Sequence, residues 1–166
     1  MTTTPASQLL SDQFKQMQSN LDFGCNLTDD NIFEWEVMFF ISDNDHDDNL
    51  YNGGTFQVHL SFPLEYPHKP PKMKFRDPMF HPNISPEGEV HISVLHLRED
   101  EKYGYESAAG CWSPTQTPES VLLSVKSMLY SPDDRSPVNI EAARRRREDP
   151  AGYSKMVRRL VRDALE

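Results

Sequence analysis

Tyr66-Pro67-His68-Lys69-Pro70-Pro71 begins a proline-rich stretch that runs to Pro82 and separates two parts of the chain with different hydrophobic patterns. Proline fixes φ and removes a backbone donor, so strand pairing can resume here only briefly, which we expect at 72–75. Before this stretch apolar residues alternate as in β-strands, and after it they recur at helical spacing. Because strands precede helices, the order of elements predicts an α+β fold.

Strands and one helix are predicted before the proline-rich stretch. Residues 32–41 alternate and then become continuously apolar, as in a strand covered on both faces. A turn signal at 52–54 lies within a second alternating segment, residues 51–62. Near-helical spacing of apolar residues predicts a helix over about 6–20, after a flexible tail at 1–5. The expected sheet is an antiparallel meander of about four strands.

About three helices are predicted after the proline-rich stretch. The first follows Thr117 as its N-cap and Pro118 in its first turn. Residues 138–147 and 152–165 form two more, and the last has one continuous apolar face. A chain of 166 residues fits one hydrophobic core, so we expect residues 6–166 to form a single domain.

The net charge of −9 argues against nucleic acid or an anionic lipid surface as the main partner, and a basic protein partner fits better. No apolar run reaches about 18 residues, so no membrane span is predicted. The start of the chain has no signal-peptide pattern, so we expect a cytoplasmic or nuclear protein. Cys25, in a predicted link between the first helix and first strand, and Cys111 are expected to be reduced thiols.

Four motifs follow one another along the chain: Tyr66-Pro67-x-x-Pro70-Pro71, His81-Pro82-Asn83, Gly88-Glu89-Val90-x-Ile92-Ser93 and Trp112-Ser113-Pro114. Together they resemble the ubiquitin-conjugating enzymes, and the match covers about residues 30–165. The resemblance implies the UBC fold. Residues 97–109, with Glu99, Asp100 and Glu101, look like the acidic loop of the subgroup associated with endoplasmic-reticulum degradation and the Cdc34-type enzymes. That subgroup implies a location at the cytosolic face of the endoplasmic reticulum.

The His-Pro-Asn motif of this family implies a different role for each side chain. His81 is expected to be structural, with its imidazole hydrogen-bonded to backbone. Asn83 is expected to offer an amide donor to the oxyanion that develops during isopeptide formation. A simpler alternative is that Asn83 is an Asx-turn residue.

The catalytic position of the family, eight residues after that asparagine, holds His91 in place of cysteine. Sulfur is a strong nucleophile and a good leaving group, whereas imidazole forms only a labile acyl adduct. We therefore expect no productive transfer of ubiquitin to lysine. Cys111 is an alternative nucleophile, although the acidic residues before it would raise the pKa of its thiol. His81, His91 and His96 suggest a metal site, but positions 91 and 96 of a strand face opposite sides, so neither metal nor cofactor is expected.

Other surfaces follow from the resemblance. The ligase-facing surface would comprise His68, Pro114 and Thr115, although Pro114 is also explained as a turn residue. Ser136 matches a gate position beside the lysine entry, or is a helix N-cap followed by Pro137 at N1. The first helix offers Lys15 as its only base, so docking to the activating enzyme is expected to be weak.

Two hypotheses for function remain. In the first, the chain is a catalytically inactive UBC-like protein that binds ubiquitin, an active conjugating enzyme or a RING-type ligase. In the second, it is a conjugating enzyme whose cysteine has been replaced by His91, or one that uses Cys111. The departures from the family pattern in the first helix and at 42–50 favour the first hypothesis. The arginine-rich C-terminal helices indicate a solvated basic face suited to an acidic partner rather than to nucleic acid.

Overall fold

The computed structural model describes residues 4–41, 50–97, 111–135 and 137–165. The chain begins with helix α1 (Pro5–Met17), followed by strands β1 (Phe23–Thr28), β2 (Asn31–Phe40), β3 (Thr55–Ser61) and β4 (Lys72–Phe75). A short 3-10 helix follows at Ser93–Leu95, and then helices α2 (Pro118–Tyr130), α3 (Ile140–Glu148) and α4 (Pro150–Ala164). This order agrees with the predicted α+β class and with three helices after the sheet.

The four strands form one antiparallel sheet in the order β1-β2-β3-β4, which confirms the predicted meander. The prediction for Cys25 was wrong, because this residue lies within β1 and pairs with Val37 rather than lying in a link. Glycine and asparagine on either side of Cys25 are poor strand formers and hid the strand. Asp29 and Asp30 both have positive φ, as a tight primed turn between β1 and β2 requires.

Side-chain caps set the helix boundaries and correct several predicted ends. Thr4 and Ser7 form a capping box, so α1 begins at Pro5, inside the segment predicted as a tail, and it ends at Met17 instead of about residue 20. Thr117 caps α2 as predicted. Asn139 accepts a hydrogen bond from the backbone of Ala142 and caps α3, so this helix begins at Ile140, two residues after the predicted start.

Asp149 lies between the last two helices and caps the second of them. Asp149 follows the end of α3 and accepts a hydrogen bond at 3.1 Å from the backbone N–H of Gly152, which makes it the N-cap of α4. Helix α4 therefore begins at Pro150, two residues before the predicted start. The second predicted strand was also too long, because the turn at residues 51–53 delays β3 until Thr55.

The hydrophobic core lies between the inner face of the sheet and the helices. Trp35, Phe39, Val58 and Leu60 are completely buried there, together with Leu122 of α2. Burial of each such side chain contributes about 1.5–3 kcal/mol of transfer free energy. This burial holds the sheet and the helices together. Among the described residues, no helix combines the length and apolar character needed to cross a bilayer.

Candidate functional site

His81 is completely buried, in the loop whose Ile84 pairs with Val90 next to position 91. Its Nε2 lies 2.9 Å from the carbonyl oxygen of Met128 at the end of α2, and its Nδ1 accepts the backbone N–H of Asn83 at 3.0 Å. Burial lowers the pKa of His81 to about 4, so the ring is neutral near pH 7 and Nε2–H is the donor to Met128. This arrangement suits a structural role for the imidazole.

Asn83 is 2% exposed, and both atoms of its amide contact the backbone of Asp133. Its Oδ1 accepts the N–H of Asp133 and its Nδ2 donates to the carbonyl of the same residue, each at 2.8 Å. The amide therefore ties the His-Pro-Asn loop to the loop that follows α2. An oxyanion role would have to use the second hydrogen of Nδ2, because the first is already donated to Asp133.

The loop after α2 is held by further polar contacts. Arg135 binds the Asp133 carboxylate through two nitrogens at 3.0 and 2.9 Å, and these hydrogen bonds hold the pKa of Asp133 below its usual value. The backbone carbonyl of Pro82 accepts N–H groups from Val138 and Asn139 at 2.9 and 3.1 Å. The His-Pro-Asn loop is thus fixed from α2, from the following loop and from the start of α3.

Position 91 lies directly beside this loop. The backbone N–H of His91 donates to the carbonyl oxygen of Asn83 at 2.8 Å, so this hydrogen bond fixes the position of residue 91 relative to the His-Pro-Asn loop. The imidazole is 23% exposed, and its Nε2 lies 3.7 Å from a carboxylate oxygen of Glu89, too far for a hydrogen bond. It lines a groove of about 690 Å³ that also includes His96, Lys69, Lys72 and Lys74.

The structure corrects the expected separation of two histidines. The 3-10 helix at Ser93–Leu95 turns the chain after Ile92, and the rings of His91 and His96 lie 5.9 Å apart at an interplanar angle of 31°. The strand pattern assumed for this segment therefore does not apply. The third histidine of the suggested metal site, His81, is buried and hydrogen-bonded to the carbonyl oxygen of Met128 instead. Within the described ranges, no three His, Cys, Asp or Glu side chains are grouped so that they could hold a metal ion.

Both cysteines are buried thiols. Cys111, the proposed alternative nucleophile, is 2% exposed, and a thiol must be accessible to attack a bulky thioester. Cys25 is 6% exposed in β1, and burial raises the pKa of its thiol to about 11. Neither thiol therefore has the exposure of a reactive cysteine.

The predicted ligase-facing residues lie on two loops that are joined to each other. Trp112 donates its indole N–H to the carbonyl oxygen of Pro67 at 2.8 Å, which connects the proline-rich loop to the segment before α2. His68, Pro114 and Thr115 are all exposed on these loops. Leu64, which sequence analysis did not single out, is 78% exposed in the same proline-rich loop. Its position between Pro63 and Pro67, after the end of the predicted strand, was a sequence signal for an exposed apolar side chain.

The outer face of the sheet carries a charged cluster that the sequence analysis missed. The His59 ring lies 2.7 Å from Glu36 and 2.6 Å from Glu34, and Arg76 also contacts Glu36 at 2.8 Å. Although partial burial opposes ionisation, hydrogen bonds from Arg76 and His59 hold the pKa of Glu36 below its usual value. Alternation marked these as outward-facing positions, but only the strand register, in which Glu36 pairs with His59, brings them together.

Some predicted site residues lie outside the described residues. These are the gate position Ser136, the acidic loop with Glu99, Asp100 and Glu101, and the acidic segment at 42–49. On α1, Lys15 and Asp12 are both exposed.

A helix, a four-stranded meander and a buried His-Pro-Asn loop beside position 91 define an α+β domain of the UBC class. The family model described as ubiquitin-conjugating enzyme matches residues 9–161. The chain belongs to the ubiquitin-conjugating enzyme family.

Individual relatives agree with this assignment. The chain is 50% identical to ubiquitin-conjugating enzyme E2 15 of Schizosaccharomyces pombe, covering 100% of this chain and 99% of the relative. It is 40% identical to ubiquitin-conjugating enzyme E2 G2 of Homo sapiens, with 99% of each chain covered. Among solved structures, the E2 domain of a Toxoplasma gondii ubiquitin-conjugating enzyme is similar, with a TM-score of 0.76 at 25% identity, covering 94% of this chain and 96% of that one.

Proposed function

We propose that this chain is a ubiquitin-conjugating-enzyme-like protein that lacks the catalytic cysteine and acts as a non-catalytic binding partner or regulator in protein ubiquitination. The observation that carries the proposal is the identity of residue 91, which is histidine. The fold around this residue is that of the family.

The chemistry of position 91 supports the proposal. Ubiquitin transfer needs a group that accepts the acyl carbon, holds it and then leaves when a lysine amine attacks. An acyl-imidazole on the partly exposed His91 would be open to water in the groove and would hydrolyse. The second candidate nucleophile is weakened by its burial, because Cys111 is 2% exposed.

Binding surfaces of the family remain available for a regulatory role. His68, Pro114 and Thr115 are exposed on loops joined through Trp112, which favours a RING-type ligase as one partner. Ubiquitin and an active conjugating enzyme are the other candidates. The resemblance of residues 97–109 to the acidic loop of one subgroup supports a role in the cytoplasm or nucleus, including the cytosolic face of the endoplasmic reticulum.

A charging assay tests the absence of catalysis. The wild-type chain, His91→Cys and His91→Ala are incubated with activating enzyme, ATP and ubiquitin, and each is also made with both native cysteines replaced by serine. We expect no thiol-sensitive ubiquitin adduct on the wild type or His91→Ala, and an adduct on His91→Cys that survives removal of Cys25 and Cys111.

The outcomes separate the hypotheses. A reducible adduct on the wild type that disappears with Cys111→Ser would overturn the proposal in favour of a displaced nucleophile. Discharge of ubiquitin from the wild type to free lysine, with or without such an adduct, would also overturn it. An adduct confined to His91→Cys supports it, and shows that the scaffold still docks with the activating enzyme.

A binding experiment tests the regulatory part of the proposal. The ¹⁵N-labelled chain is titrated with ubiquitin, with a RING domain and with an active conjugating enzyme. With the RING domain, we expect chemical-shift changes at the backbone amides of His68, Thr115 and the residues next to Pro114. These changes should be lost in a His68→Glu/Thr115→Glu variant. If none of the three partners shifts any signal at high concentration, the regulatory assignment is wrong.

A further inference from the structure

Helix α4 carries a row of four cations on the face opposite its buried stripe. Tyr153, Val157 and Val161 point into the core. Lys155, Arg158, Arg159 and Arg162 are all exposed. Their spacing of three, four and seven residues places them on one side of the helix, over a length of about 10 Å.

These four cations differ from three of the four arginines on the neighbouring helix, Arg144, Arg146 and Arg147, which lie within 4.0 Å of a carboxylate. On α3, Arg144 contacts Glu141 at 2.6 Å and Glu148 at 3.1 Å, and Arg146 contacts Asp134 at 3.1 Å. No carboxylate of the described residues lies within 4.0 Å of the α4 row. Like charges four residues apart on a helix repel each other, as Lys155 does Arg159 and Arg158 does Arg162.

The rest of the chain has the opposite charge. Residues 137–166 contain eight Lys/Arg and five Asp/Glu, whereas residues 1–136 contain nine Lys/Arg and 21 Asp/Glu. The basic row is therefore a local feature of an acidic protein. An extended polyanion such as duplex DNA or a lipid surface would pass beyond the row and meet the negative remainder. A short acidic segment would contact the row alone.

Two exposed apolar side chains flank the row. Met156 is 38% exposed and Leu165 is 59% exposed, and helical geometry places them on opposite sides of the four cations. Apolar flanks around a charged centre favour a polypeptide, which can supply both carboxylates and apolar side chains, over a phosphate backbone. The charge row would steer the partner and the flanks would add contact area.

From this arrangement we propose that the exposed face of α4 binds an acidic, amphipathic segment of a partner protein. The row matches carboxylates presented at the same helical spacing. This docking surface is independent of the chemistry at position 91, so it can hold a partner whether or not the groove is occupied.

The test uses the full chain and a labelled probe peptide of about 18 residues, with glutamates at helical spacing and leucines beside them. Fluorescence anisotropy measures its affinity for the wild type, for Arg158→Gln/Arg159→Gln/Arg162→Gln and for Lys15→Gln/Lys69→Gln/Lys72→Gln. The two variants have the same net charge, and the second removes exposed cations from other surfaces. Circular dichroism checks that both variants remain folded.

We expect the α4 variant to bind the probe at least tenfold more weakly and to show a shallower dependence of affinity on salt. The control variant should change affinity less than twofold. Equal losses in the two variants, or no binding of the probe to the wild type, would overturn the proposal. It would also be overturned if duplex DNA or anionic vesicles bound the α4 row more tightly than the peptide.

Discussion

Acidification should destabilise the fold through His81 well before the carboxylates titrate. In the folded chain the buried ring has a pKa of about 4, and in the unfolded chain its pKa is the ordinary 6.5. Because the folded value is lower, the unfolded state binds the proton first, and stability falls as pH drops below about 6.5. The loss amounts to about 2 kcal/mol between about pH 7 and about pH 5, and approaches about 3 kcal/mol near the folded pKa.

Urea unfolding at closely spaced pH values measures this loss. His81→Gln removes the titrating group and keeps an amide near the carbonyl of Met128. The variant should be less stable at pH 7, and its stability should vary less between about pH 7 and about pH 5 than that of the wild type, by about 2 kcal/mol. Other histidines contribute equally to both proteins and cancel in the comparison.

The pKa of His81 can also be tested directly on the native protein, without any variant. The imidazole nitrogen shifts of His81 should remain those of a neutral ring with the proton on Nε2 down to about pH 5. If the ring instead titrates near its ordinary pKa while the chain stays folded, then burial does not control this group and the predicted stability loss has no basis.

Two further substitutions test contacts near the groove. Gly88→Ala should lower the free energy of unfolding by at least about 2 kcal/mol, since φ is +100° and the new methyl group would collide with the carbonyl of Phe75; unchanged urea midpoints would contradict this. Trp112→Phe should cost about 1–2 kcal/mol, because the partly buried carbonyl of Pro67 loses its donor. A native-like hydrogen-exchange pattern around residue 67 in that variant would show that the bond is dispensable.

The order of elements and the caps with side-chain signals could be predicted from the sequence. Alternation revealed β2 and β3, and Thr117 with Pro118 revealed the start of α2. Strand β1 was missed because residues 24 and 26 are glycine and asparagine, which interrupt the usual signal. Strand propensity is a property of single residues, so it does not include the stabilisation that β1 gains by pairing with β2.

The residues proposed for the site come from the sequence motifs, whereas their geometry is visible only in the structure. Position 91 follows from counting eight residues after Asn83. The pairing of His91 with His96 depends on a short 3-10 helix, whose three residues leave no periodic pattern. Likewise, the contact between Asn83 and Asp133 joins residues 50 positions apart, so only the folded core brings them together.

One backbone hydrogen bond has a consequence for the segment between positions 97 and 111. The N–H of Trp112 donates to the carbonyl of His96 at 2.9 Å, so the two ends of the intervening segment meet at a fixed base. A segment attached in this way can change in length at a closure cost of only about 0.6 kcal/mol per doubling. A change in the number of residues between positions 97 and 111 would therefore leave this hydrogen bond in place, and with it the position of His96 in the groove.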